Sequence, residues 1–261
     1  MRKFGFKIFT NNLNNSPQLI EDVAKYLQEN DGAFVELMVV NDTSVDDIQK
    51  LKMYFRGAEV RVHAPHNIMG FDTGCAEKEL SNRKILATSQ MAADILGAAT
   101  IVVHAGCGKG EKYLAETIRQ FRIFDDKRIV VENLPFFASD GAPLHGNTPP
   151  EIALIKEQVG CGFCMDFSHA VCAANYAKTD IDVFLQGFAD LHPNVYHISD
   201  GDVVGVDDLH LHFGEGSFPL DKMINHYTLP DAYVTMETGY GIPSSAQKWI
   251  ADMEYLRRLE K

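Results

Sequence analysis

Residues 162–169 read Gly162-Phe163-Cys164-Met165-Asp166-Phe167-Ser168-His169. The apolar run that opens this stretch is typical of a short buried strand. An acid, Asp166, stands at its end, and His169 follows three residues later. Carboxylates and imidazoles are both good ligands for divalent metals. Alone, this Asp-x-x-His pattern is more typical of an ordinary turn, but a strand followed by a metal-type ligand occurs five more times in the chain.

The chain alternates between short apolar segments and amphipathic segments along its whole length. We predict strands at residues 3–9, 33–40, 60–64, 100–104, 128–132, 162–166, 195–198 and 233–237. We predict helices between and after them at residues 16–27, 44–56, 76–96, 111–124, 149–159, 181–191, 219–226 and 244–256. Short apolar strands rich in β-branched residues are typical of buried parallel sheets. Eight such strand–helix units in 261 residues predict an α/β fold, a (β/α)8 TIM barrel, as a single domain over residues 1–261.

The amino-acid composition indicates where the protein is located and which partners it disfavours. Hydrophobic residues make up 46% of the chain and charged residues 23%, which is ordinary for a globular protein. No stretch approaches the roughly 20 apolar residues of a membrane helix, and the N-terminus lacks a secretory pattern. Five cysteines without framework spacing are typical of a reducing compartment, so we expect a cytoplasmic protein without membrane contact. The net charge of −12 disfavours nucleic acid as a partner, because phosphate neutralisation supplies much of that affinity.

Six candidate ligands fall at the ends of the third to eighth predicted strands, namely His63, His104, Glu132, Asp166, His197 and Glu237. Active sites of such barrels lie at the C-terminal ends of the strands, so closing the barrel brings these six side chains together. Ionised carboxylates in apolar strands are costly unless a cation compensates them. Buried ion pairs would need Lys or Arg at the same strand ends, and we find none there. The sequence therefore predicts a metal site at the mouth of the barrel.

These residues lie in motifs that resemble those of the xylose isomerase-like barrels, and most closely endonuclease IV, an apurinic-site endonuclease with a three-zinc centre. The similar segments occur in the same order along the chain, and they read Val62-His63-Ala64-Pro65, Val103-His104-Ala105-Gly106, Val131-Glu132-Asn133, Met165-Asp166-Phe167-Ser168-His169-Ala170, Tyr196-His197-Ile198-Ser199-Asp200, Asp208-Leu209-His210-Leu211-His212-Phe213-Gly214-Glu215-Gly216 and Met236-Glu237-Thr238. The resemblance covers nearly the whole chain.

The resemblance implies up to three metal ions that share nine ligands. The implied ligands are His63, His104 and the bridging Glu132 for the first ion, Glu132, Asp166, His197 and Glu237 for the second, and His169, Asp208 and His210 for the third. His212 is the alternative to His210 as a ligand of the third ion, because only the spacing from Asp208 distinguishes the two histidines. Zn²⁺ is the expected ion, with Mn²⁺ or Fe²⁺ as alternatives, since the ligand types do not choose firmly among them.

Two reactions are compatible with this ligand set. The first is phosphoester hydrolysis by a metal-bound hydroxide at a di- or trinuclear centre, since clustered metals activate water and stabilise both oxygens of the displacement. The alternative is a sugar isomerase or epimerase that uses one metal at Glu132, Asp166, His197 and Glu237. Such enzymes do not need the other five ligands, and the presence of all nine favours hydrolysis. We take Glu132 and Glu237 as the candidate catalytic carboxylates.

The chain also departs from the endonuclease IV pattern. An aromatic residue that helps to open DNA follows the His-Ala-Pro motif in that family, whereas His66 stands here, and we find no comparable basic loops. We therefore expect a small anionic or sugar-like substrate, with DNA as a disfavoured alternative. The sequence leaves open whether Glu36 on the second predicted strand points into the barrel, and it indicates an ordinary surface or helix-end position for His145.

Overall fold

Eight parallel strands close into a barrel in the computed structural model, which describes residues 1–239, 241 and 243–261. Each strand pairs with its neighbours in sequence, and the last strand pairs with the first. The predicted (β/α)8 barrel is therefore confirmed. The strands are β1 Lys3–Phe9, β2 Phe34–Met38, β3 Glu59–His63, β4 Ile101–His104, β5 Ile129–Glu132, β6 Gly162–Asp166, β7 Val195–Ile198 and β8 Tyr233–Met236.

Helices follow the strands and cover the outside of the barrel. They are α1 Asn12–Asn15, α2 Pro17–Glu29, α3 Val45–Tyr54, α4 Glu79–Leu96, α5 Glu111–Phe124, α6 Pro149–Val159, α7 Phe167–Ala177, α8 Ile181–Ala189, α9 Leu220–Lys222 and α10 Gln247–Leu259. Short 3-10 turns lie at Asn67–Met69 and Ala76–Lys78, and a π-helical turn at Met223–Tyr227 continues α9. Among the described residues, no helix combines the length and the apolar character needed to cross a bilayer.

Two helices were missed in the sequence, the single turn α1 at Asn12–Asn15, where we expected a polar loop, and the longer α7. Prediction placed a single helix after the sixth strand, at residues 181–191, but α7 begins directly after β6 and α8 follows it. Asp166 is the reason, because its Oδ1 accepts a hydrogen bond from the backbone N–H of His169 and so caps the N-terminus of α7. The Asp-x-x-His pattern is therefore both a strand end and a helix start, and this geometry fixes where both side chains point.

Two apolar layers hold the barrel together. The larger one lies between the strands and the helices, where side chains such as Phe6 on β1 and Leu19 on α2 are completely buried. The smaller one is a separate buried cluster of Val102, Val130, Cys164 and Val195. Each of its members lies two residues before a candidate ligand on β4 to β7. Because side chains alternate along a strand, the four ligands share the barrel interior with this cluster, which forms a dry floor beneath them.

His145 is not the surface residue that the sequence indicated. Its side chain is buried, its Nε2 accepts a hydrogen bond from the Gly106 N–H at 3.0 Å, and the same atom lies 2.7 Å from Thr117 Oγ1. It thereby joins the loop after β5 to the loop after β4 and to α5. Burial lowers the pKa of His145 to about 4, so the neutral imidazole makes these bonds.

We expect the pKa of His145 to make the fold sensitive to mild acid. A histidine has an ordinary pKa near 6.5 when unfolded, so its contribution is complete above that pH and is lost as the pH falls towards about 4. Between pH 7 and pH 4, the free energy of unfolding of the parent should fall by roughly 3 kcal/mol more than that of His145→Gln. Urea titrations at each pH measure this, with exposed His226→Gln as the control. Equal pH dependence in parent and His145→Gln would contradict the assignment.

Candidate metal centre

The carboxylate of Glu132 lies at the centre of the candidate site. Its Oε2 is 3.1 Å from His63 Nε2 and 3.2 Å from His104 Nε2. Its Oε1 is 3.2 Å from His169 Nδ1 and 3.4 Å from His197 Nδ1. Four histidines from β3, β4, α7 and β7 thus surround one buried carboxylate. Burial opposes ionisation of Glu132, but the nearby histidines outweigh it and hold its pKa well below the usual range.

A second group lies beside the first. The strand register sets Asp166 on β6 next to His197 on β7, and His197 Nδ1 lies 2.7 Å from Glu237 Oε1. Potential ligand atoms of Glu132, Asp166, His197 and Glu237 all lie within 4.8 Å of one another. Burial raises the pKa of Asp166 to about 7, and the carboxylates of Glu132 and Glu237 add to the shift against the opposing effect of His169. Carboxylates this close need additional positive charge to ionise together.

The third group lies at the outer edge of the site. Asp208 Oδ2 is 3.3 Å from His169 Nε2 and 2.6 Å from His210 Nε2. His210 has a φ of 44°, a left-handed conformation that is uncommon for a residue with a side chain and that often occurs at functional sites. His212 points elsewhere, because its Nδ1 bonds Asp252 Oδ2 at 2.7 Å. Of the two histidines that the sequence left open, His210 is therefore the one beside Asp208.

Asp200 organises the loop that carries Asp208 and His210. Its carboxylate accepts hydrogen bonds from the backbone N–H groups of Gly201, Gly214, Gly216 and Phe218. A Cβ on Gly216 would lie 2.4 Å from Asp200 Oδ1, so only glycine fits at that point. Sequence reasoning assigned no role to Asp200, although it stands three residues after His197 and before the Gly-Glu-Gly segment that it binds.

Hydrogen bonds to the far side of the rings orient several of the histidines. The Nδ1 atoms of His63, His169 and His210 lie 2.7, 2.9 and 2.7 Å from the backbone carbonyl oxygens of Ala64, Asn133 and Glu237. An Nδ1–H that donates to a carbonyl leaves the Nε2 lone pair free to face the site. This is the usual arrangement around metal-binding histidines.

His197 uses the reverse arrangement. Its Nε2 lies 3.0 Å from both carboxylate oxygens of Glu36, and Thr235 Oγ1 donates to Glu36 Oε2 at 3.0 Å. Glu36 is completely buried and points into the barrel, which answers the question that the sequence left open. The Nδ1 atom of His197 therefore faces Glu132 and Glu237.

The site contains a cation that the sequence analysis overlooked. We found no Lys or Arg at the strand ends, but Lys7, in the middle of β1, extends its Nζ to Glu237 and lies 3.4 Å from Glu36 Oε1. Burial alone would lower the pKa of Lys7, but Glu237 and Glu36 raise it above the usual range, so the ammonium is charged. Lys7 lies two residues before the end of β1, and only the length of its side chain brings the ammonium group to the ligands.

Lys7 supplies one positive charge against five buried or nearly buried carboxylates, which belong to Glu36, Glu132, Asp166, Asp208 and Glu237. Two buried atoms at the centre, Glu132 Oε1 and His197 Nδ1, have polar atoms nearby, but none of the described residues meets them in the geometry of a hydrogen bond. A divalent cation between these two atoms would satisfy both, and it would also relieve the repulsion among the carboxylates. The residues present therefore fit a metal centre.

A cavity of about 940 Å³ opens above these ligands. Phe136, Phe137 and Tyr176 form an aromatic wall, with ring centroids 4.7 Å apart for Phe136 and Tyr176. His66, the residue that departs from the endonuclease IV pattern, stacks on His104 with ring centroids 5.2 Å apart. Among the described residues, Lys7 is the one Lys or Arg that lines the cavity.

Comparison with known proteins identifies the family of the chain. The chain matches the family described as "Xylose isomerase-like TIM barrel" over residues 3–259, and it belongs to that family. It is 25% identical to "Probable endonuclease 4" of Mycobacterium ulcerans (strain Agy99) over 189 residues, which are 69% of this chain and 72% of that protein.

Solved structures show the same fold at low sequence identity. A D-tagatose 3-epimerase-like protein has a TM-score of 0.71 at 19% identity, with 98% of this chain and 96% of that chain covered. Endonuclease IV from Thermus thermophilus has a TM-score of 0.67 at 18% identity, with 98% of this chain and 99% of that chain covered. Likeness at this level establishes the barrel and does not choose a reaction.

Metal loading should distinguish His210 from His212. His210→Gln should lose about one equivalent of bound zinc, because it removes one of the three candidate ligands of the third group, which are His169, Asp208 and His210. His212→Gln should keep the parent's complement, since its imidazole is bound to Asp252. Elemental analysis after zinc loading and dialysis measures both variants. Equal zinc loss in the two variants would show that the outer position is assigned wrongly.

Proposed function

We propose that this protein is a metal-dependent hydrolase of the endonuclease IV type that cleaves a phosphoester, with a substrate that need not be DNA. One observation carries the proposal, namely the convergence of all nine candidate ligands into three adjoining groups that meet at Glu132 and its neighbours. A single-metal enzyme has no need for the outer group of His169, Asp208 and His210. The curated relative named as an endonuclease 4 supports the same assignment.

The proposed ligands divide as the three groups do. The residues that would hold ions are His63, His104 and Glu132 in the first position, Glu132, Asp166, His197 and Glu237 in the second, and His169, Asp208 and His210 in the third. When bound, clustered divalent ions lower the pKa of water and stabilise the attacking and leaving oxygens of a phosphoester. Zn²⁺ suits the mixed nitrogen and oxygen donors, and Mn²⁺ or Fe²⁺ are the alternatives.

The chain's own residues prepare this site in three ways. Backbone carbonyls and Glu36 fix the ring orientation of the histidines, so little reorganisation is needed on binding. The valine-rich floor excludes water from below. Glu132 and Glu237, the candidate catalytic carboxylates, are held by neighbours on both sides, Glu237 by Lys7 and His197. Positioned carboxylates of this kind can bind ions and accept protons.

Charge favours a small substrate over a nucleic acid. The net charge is −12, and the cavity has a single lysine and an apolar, aromatic wall among its described residues. A DNA-binding surface needs several phosphate contacts from Lys or Arg. We therefore infer a small phosphorylated substrate whose apolar or ring-shaped part lies against Phe136 and Tyr176.

A sugar isomerase or epimerase is the second candidate. The observation in its favour is the cavity itself, which suits a neutral sugar, together with the structural likeness to a D-tagatose 3-epimerase-like protein. In this alternative Glu132, Asp166, His197 and Glu237 would hold one ion that polarises a carbonyl group, and the two glutamates would transfer the proton.

The number of bound metal ions and assays of the two reactions distinguish the hydrolase from the isomerase or epimerase. Hydrolysis predicts about three equivalents of metal per chain and cleavage of bis(p-nitrophenyl) phosphate, with an abasic DNA duplex as the comparison substrate. Isomerisation predicts about one equivalent and exchange of the proton beside a ketose carbonyl for deuterium, which NMR detects in D₂O. One equivalent together with deuterium exchange, and no phosphoester cleavage, would replace the first candidate by the second.

Substitution of Glu132 should remove metal and activity together. Glu132→Ala takes away the carboxylate that all four central histidines face, so we expect loss of at least one equivalent of metal and a decrease in turnover of about a thousandfold or more. Elemental analysis and the phosphoesterase assay measure both. Glu215→Ala, an exposed glutamate in the loop near the site, is the control. A full metal complement in Glu132→Ala would contradict the bridging role.

A further inference from the structure

We propose that the ammonium group of Lys7 is a built-in cation that takes the position of an additional divalent ion between Glu36 and Glu237. The inference rests on the proposed metal centre for its setting, but it concerns a fourth position, which adds Glu36 and shares Glu237 with the second of the three proposed positions. Removing the charge of Lys7 should open this position to a divalent metal.

Strand pairing sets Lys7 between these two carboxylates. Lys7 lies opposite Glu36 in the register of β1 and β2, and β8 pairs with β1 on the other side and leads directly into Glu237. The Nζ atom lies 3.4 Å from Glu36 Oε1 and bonds Glu237. Lys7 is 8% exposed, so its charge is removed from bulk water and is balanced by these two groups.

The surroundings of Lys7 resemble those of the proposed metal positions. Potential ligand atoms of Glu36, His63, His197 and Glu237 lie within 4.8 Å of one another, as do those of the group around Asp166. Glu36 Oε1 is completely buried and lies 3.0 Å from His197 Nε2 and 3.4 Å from Lys7 Nζ, but neither contact has the geometry of a hydrogen bond. An oxygen of this kind, aimed at a cation position, is what a divalent ion would bind.

Lys7 and a divalent ion would compete for this position. Two cations that share the same carboxylates a few ångströms apart repel strongly in a partly desolvated site. While Lys7 is present, the ammonium excludes a further ion and keeps Glu36 available to accept from His197 Nε2. The lysine therefore limits the number of metals and holds the orientation of one proposed ligand, which makes it a positioning residue.

The test uses Lys7→Met, which keeps a side chain close to the length of the four-carbon stem of lysine and removes its charge. Mn²⁺ titration of the whole protein, followed by elemental analysis and thermal unfolding, should show about one more bound equivalent than in the parent. The rise in Tm with Mn²⁺ should also be larger in the variant. Lys3→Met is the matched control, because Lys3 lies on the same strand and pairs with Glu59 and Tyr233, away from the ligands.

A second variant tests the role of Glu36. Lys7→Met combined with Glu36→Gln lacks one of the two carboxylates, so the additional equivalent should disappear. If Lys7→Met unfolds without metal, Mn²⁺ should restore its folding, because the ion replaces the lost charge. An unchanged number of equivalents in folded Lys7→Met, or an unfolded variant that Mn²⁺ does not restore, overturns the proposal. The metal count of the parent protein tests the nine-ligand centre separately. If the parent binds no metal, a gain of one ion in Lys7→Met still supports the present proposal, and no gain still overturns it.

Discussion

Buried negative charge at one end of an apolar barrel is the constraint on which the rest of the site depends. Glu36, Glu132 and Asp166 are almost completely removed from solvent, and an ionised carboxylate in such surroundings persists only beside cations and hydrogen-bond donors. Lys7 and the histidines around Glu132 supply part of this compensation. His197 and Lys7 hold the pKa of Glu36 at about 2 against the effect of burial. The ionisation of each buried group at this end of the barrel therefore depends on its charged neighbours.

The barrel brings these charged groups together by repeating one pattern along its strands. On β4 to β7 an apolar residue is followed two positions later by a ligand, so each strand contributes to the dry floor and to the polar layer above it. The loops need other interactions to hold them, because their backbone lacks the hydrogen bonds that pair neighbouring strands. Asp200, Asp252 and His145 provide such anchors through hydrogen bonds to loop backbone.

Solved structures with a similar barrel include one named as an endonuclease and one named as epimerase-like. One set of metal ligands can support either reaction, because a metal can polarise a carbonyl group as well as stabilise a phosphoester. The distinguishing features are therefore those that surround the ligands. The outer group at Asp208 favours several metals, whereas the aromatic wall at Phe136 and Tyr176 and the acidic charge favour a small molecule over a polymer.

The sequence by itself determined the barrel and eight strand positions, because alternation of short apolar strands with helices is a local property that each segment carries. It also indicated which residues stand at strand ends. It did not reveal α7, since Asp166 was interpreted only as a strand-end ligand and not as a helix cap as well. Only the tertiary structure decided that Lys7 and Glu36 share the site, that His210 and not His212 faces Asp208, and that His145 is buried. These outcomes depend on side chains from distant strands and loops meeting after the barrel closes, and no spacing along the chain records such distances.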